Sequence, residues 1–182
     1  MAAPSVLLTR PNASVEFEPQ KLKGFVLSLH PPAAITYTGY SSNPDDVFCI
    51  DAKIAGLGEI GVQAFMEHRA EPYRPATMKN SAHVYVACAP EMVPIGEVDE
   101  YIWDKIWSDK AKAFGAKYGA GYQFTAEVKT FLELKNTLEG LVALMAEHHG
   151  AAIRYNAGAE AERQKYIDEA VRERHIRKVL GD

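Results

Sequence analysis

Gly56-Leu57-Gly58-Glu59-Ile60-Gly61 carries the full G-x-G-x-x-G spacing, the one signature in this chain that points directly to chemistry. In a dinucleotide site, glycines at these positions let backbone amides approach a pyrophosphate, which rests on the N-terminus of the helix that follows. Gly56, Gly58 and Gly61 are therefore the residues that would hold such a ligand. The reading requires a buried parallel strand before the motif and a helix after it. The flanks do not match. Phe48, Ile50, Ala52 and Ile54 alternate with Cys49, Asp51 and Lys53, the pattern of an antiparallel strand with one wet face. After the motif, Ile60, Val62, Ala64 and Met66 also alternate, although Val62, Phe65, Met66 and Arg69 fit a helical period. A β-hairpin joined by a four-residue Gly-x-Gly-x loop accounts for both flanks without a phosphate. An acidic ribose partner belongs about 20 residues further on. The next strand-like run, His83 to Ala89, ends near Glu91, too far along the chain.

Other reactive residue types lack the spacing their chemistry needs. His148 and His149 stand beside Glu147, but neighbouring helical residues point about 100° apart and cannot readily share an ion. Helical metal ligands sit three or four apart, and neither Glu-x-x-His nor His-x-x-x-His occurs. These histidines are expected to meet the terminal carbonyls of a helix ending before Gly150. His30, His68, His83 and His175 are isolated in sequence. Serine has no G-x-S-x-G context, and Cys49 and Cys88 read as thiols in strands rather than as a disulfide. Asn43-Pro44-Asp45-Asp46 is a turn signature, and its carboxylates, with that of Asp51, are assigned to turns rather than catalysis. No cofactor and no metal are expected.

All ten prolines precede residue 95, so the chain changes structural vocabulary there. Before the change, Ser5 to Thr9, Lys23 to His30, Ala34 to Thr38, Asp46 to Ile54, Ile60 to His68 and His83 to Ala89 are short runs rich in β-branched and aromatic residues. After it, the period becomes helical. Ile102, Trp103, Ile106, Trp107 and Phe114 predict a first helix starting near Asp99 or Glu100 and stopping at Gly115, Gly119 and Gly121. A second, capped by Thr125, would turn Val128, Phe131, Leu132, Leu138, Val142 and Met145 inward. The third, about Ala159 to Leu180, mixes charges at i,i+4 spacing, with Tyr166, Ile167, Ala170, Val171, Val179 and Leu180 forming a narrow apolar seam. The fold class is α+β: an antiparallel β-rich body over 1–97, as a sheet, sandwich or partial barrel, then about three helices over 98–182, together forming one compact domain.

With 182 residues, 47% hydrophobic and 24% charged, the chain has the composition of an ordinary globular domain that buries a core. A net charge of −4 without a basic cluster before the last turns disfavours nucleic acid. Its longest apolar runs, such as 141–146, are far shorter than the roughly 20 residues of a membrane span. No secretory signal is visible, so a cytoplasmic or particle location is expected. Tyr101, Trp103, Trp107 and Tyr166 are aromatic residues of the kind that dominate protein interfaces. Trp103, Trp107, Tyr118 and Tyr122 could alternatively line a small-ligand pocket. The leading expectation is a non-enzymatic structural subunit of a homo- or hetero-oligomeric assembly, a virion or other repeating particle being one instance. The alternatives are a dinucleotide- or phosphate-binding enzyme at the glycine loop and a small-ligand module.

Overall fold

A computed structural model describes residues 17–40, 47–65, 81–89, 94, 100–119 and 121–180. The expected strand at Ser5 to Thr9 and the Asn43 to Asp46 turn lie outside them. The described chain is an α+β arrangement built on a six-stranded antiparallel sheet. In sequence order the elements are α1 (Pro19–Leu27), β1 (Ala33–Tyr40), β2 (Val47–Ile54), β3 (Gly58–Phe65), β4 (Ser81–Cys88), α2 (Glu100–Lys112), β5 (Lys117–Gly119), β6 (Gln123–Val128) and α3 (Phe131–Leu180). The strands lie in the order β1-β2-β3-β4-β6-β5.

Alternation decides the faces. Phe48, Ile50, Ala52 and Ile54 of β2, Ile60, Val62 and Ala64 of β3, Ala82, Val84 and Val86 of β4 and Phe124 of β6 are all buried on one side. Asp51, Lys53, Glu59, Gln63, His83, Tyr85, Thr125 and Glu127 alternate with them on the other face, half-buried or exposed. The helices gather on the apolar face. Leu134, Leu138, Leu141, Met145 and Ala152 of α3 are buried, and this half of the helix contacts β4 and β6. Leu22, Phe25 and Val26 of α1 complete the core beside β1 and β2. α2 closes the remaining end against β5 and α3.

Three expectations need correction. Lys23 to His30 is not a strand: α1 occupies 19–27, because Leu22, Phe25, Val26 and Leu29 recur at helical spacing and Pro19 presets the first turn. Thr125 caps nothing. It sits in β6, opposite Tyr85 of β4, so the sheet draws strands from both sides of residue 97. The cap of α3 is Thr130, whose Oγ1 accepts from the Glu133 N–H at 3.1 Å while Glu133 Oε2 accepts from Thr130 N–H at 3.3 Å, a reciprocal capping box. The expected second and third helices are one continuous helix of 50 residues that passes through Gly150 and Gly158. Among the described residues, two helices rather than three therefore follow residue 97. Residues 60–65 are strand, and 66–68 are outside the described residues.

Candidate functional site

The glycine motif forms the β2–β3 hairpin. Ile54 pairs with Gly58, leaving a three-residue loop, Ala55 to Leu57, one shorter than the sequence suggests. Leu57 N–H donates to Ile54 O at 3.0 Å, and Gly56 has φ +72°, the positive value a turn of this type needs at its third position. Gly58 and Gly61 answer to packing. A Cβ on Gly58 would lie 2.0 Å from the Ala87 carbonyl oxygen, and one on Gly61 would lie 1.7 Å from the Tyr85 ring. Tyr85 thus lies across the backbone of Gly61, its hydroxyl donating to Asp51 Oδ1 at 3.0 Å. Burial, reinforced by that carboxylate, pushes the phenol up to about 12. A groove of about 500 Å³ borders the turn, lined in part by Lys53, Gly56, Gly58, Glu59 and Cys88. Strand β3, not a helix, follows the motif, so the motif itself presents no helix N-terminus to that groove. Lys53 pairs with Glu59 at 3.1 Å.

A second cluster has no local signature in the sequence. His148 is fully buried on α3, where Nε2 lies 3.0 Å from Tyr118 Oη and 3.1 Å from Trp103 Nε1, and Nδ1 lies 3.5 Å from Cys88 Sγ. Trp103 Nε1 is also 3.2 Å from Tyr118 Oη. An indole nitrogen only donates, so Nε2 must be the acceptor and the ring proton belongs on Nδ1. A consistent relay results: Trp103 N–H is shared between His148 Nε2 and Tyr118 Oη, Tyr118 O–H donates to His148 Nε2, and His148 Nδ1–H donates to Cys88 Sγ. Every member is neutral. Burial pulls the His148 pKa down to about 4, with His149 adding to the effect. Burial also drives the Cys88 thiol up to about 12 and raises Tyr118 further. A thiol held protonated is a poor nucleophile, so the geometry favours a rigid polar strut over covalent chemistry.

Trp107, Tyr118, Tyr122 and Phe124 surround the same imidazole, with ring centroids 4.8 to 6.3 Å away. The space expected between the aromatic residues for a small ligand holds the His148 side chain. His148 therefore does not reach helix-terminal carbonyls, since α3 continues past it. One trace was present in the sequence: Leu134, Leu138, Leu141, Met145, His148 and Ala152 step by four and three, which marks His148 as the polar member of a core stripe.

Of the residues expected to meet a partner, Trp107 is 3% exposed within its own chain. Trp103 is half-buried and committed to His148 and Tyr118. Tyr101 lies on α2, and its side chain is outside the described residues. Tyr166 is 74% exposed. It belongs to the part of α3 that leaves the body: residues 160–176 are all exposed, and Ile167, Val171, Ile176 and Val179 lie among them or just beyond, exposed as well. No helix among the described residues is long and apolar enough to cross a membrane.

Compared with known proteins, the chain matches no family model, no curated protein and no solved structure.

Proposed function

We propose that this protein is a non-enzymatic structural subunit of a multimeric assembly, joined to its neighbours through the projecting half of α3. The observation that carries this reading is a single helix whose first half packs a buried stripe against the sheet and whose residues 160–176 are exposed on every side. From Ile153 to Leu180 the projection spans about 42 Å at 1.5 Å per residue. In proteins, most helical stability comes from packing an apolar face rather than from propensity. A solitary projecting helix bearing Tyr166, Ile167 and Val171 in water lacks that support, and a neighbour packed along it supplies it. Exposed apolar side chains grouped on one element are characteristic of interaction surfaces. The glycine turn and the His148 relay are accounted for by packing within the chain, which directs attention to this surface.

Light scattering combined with amide hydrogen exchange tests the reading. The expected result is a native mass above the 20.1 kDa of one chain, with protection of the amides over 156–178 that rises with protein concentration. A chain that stays monomeric from micromolar to near-millimolar concentration, with those amides exchanging as in an unfolded peptide, would overturn it.

A further inference from the structure

Resting on the assembly reading, we infer that the partner covering the projecting half of α3 is a second copy of the same chain, laid antiparallel with the two-fold axis near Asp168. The first argument is continuity of face. At about 100° per residue, Ala159, Tyr166 and Ala170 continue the stripe that Leu134, Leu138, Leu141, Met145 and Ala152 bury against the sheet. Small residues at Ala159 and Ala170 beside bulky Tyr166 allow two helices to approach closely, with a large side chain opposite a small one.

Charge sets the direction. Along 160–169, the acids Glu160, Glu162, Asp168 and Glu169 outnumber Arg163 and Lys165. Further on, Arg172, Arg174 and Lys178 outnumber Glu173. Parallel copies in register would set each block against its like, which is unfavourable at helix-pair separations. Antiparallel copies set each block against its opposite. About an axis near 168, Tyr166 meets Ala170 of the second copy, Arg163 meets Glu173, and Glu162 meets Arg174. Position 180 then falls opposite 156. The overlap uses the whole length beyond the packed half of α3, which ends near Ala152, so the tip of each helix stops short of the other copy's sheet. A self-complementary surface of this kind produces a closed two-fold pair.

Cysteine cross-linking reads both partner and direction. In a Cys49→Ser background, Glu162→Cys and Arg174→Cys chains are prepared separately, mixed in equal amounts at a concentration that gives oligomer by light scattering, and oxidised. The expected outcome is a disulfide-linked dimer from the mixture and loss of that product when either variant is oxidised alone. Cross-linking of each variant with itself would establish a parallel pair and overturn the inference. An oligomer that yields no cross-link in any arm would likewise overturn it while leaving the assembly reading in place. A monomer throughout removes both. A charge-swapped chain, Glu162→Arg with Arg174→Glu, guards against a folding artefact: it is expected to dimerise as the parent does, whereas Glu162→Arg alone dissociates at higher protein concentration.

Discussion

Acid should destabilise this fold through His148, and by an amount that can be calculated. In the unfolded chain the imidazole takes up a proton near 6.5; in the fold, burial lowers this to about 4. Between those values the unfolded state binds more protons, so the contribution of neutral His148 is fully present above pH 6.5 and is lost as pH falls toward 4. At 1.36 kcal/mol per pKa unit, the loss reaches about 3 kcal/mol by pH 4. The structural cause is specific. A proton on Nε2 would face the Trp103 N–H at 3.1 Å, setting donor against donor. The variant for comparison is His148→Gln, which keeps an acceptor and a donor but does not titrate. Urea unfolding followed by far-ultraviolet circular dichroism, at fixed protein concentration because association contributes to apparent stability, gives both free energies across pH 7.5 to 4. Other groups that titrate alike in both proteins cancel in the difference. Wild type should lose about 3 kcal/mol relative to the variant, a midpoint shift of roughly 1 M or more at ordinary urea m-values. A difference that does not change with pH would refute the buried neutral imidazole.

Two further outcomes follow from the packing. Gly61→Ala should cost about 1 to 3 kcal/mol, as overpacking does, because its Cβ would enter the Tyr85 ring. In a Tyr85→Ala background the same change should cost much less, and chemical denaturation of all four proteins would expose purely additive effects, which would contradict this contact. Trp107→Ala should destabilise the chain by about 3 to 5 kcal/mol, as truncation of a buried aromatic does. Its melting temperature should fall by a similar amount at every protein concentration, and a fall confined to concentrations where the protein associates would instead place Trp107 between subunits.

Local pattern made much of this protein legible. Strict alternation at Phe48, Ile50, Ala52 and Ile54 determined both the strand and its buried face, because a period of two permits only one face inward. The same alternation on both sides of Gly56 and Gly58 was enough to read a hairpin where the motif alone suggests a phosphate site. Helical period located α2 to within a residue of its start. What the tertiary structure decided were matters of partner and continuity. Gln123 to Val128 became a strand because β4 has an edge to offer it, information that lies 36 to 46 residues away in sequence. Gly150 did not end α3, since glycine costs only about 1 kcal/mol inside a helix and Met145, His148 and Ala152 on either side of it are held in the core. The relay from Trp103 to Cys88 joins side chains separated by 15 to 60 positions. No local period records such an encounter, because each residue follows the pattern of its own helix or strand and only the packing of α2 and α3 on the sheet brings the four together.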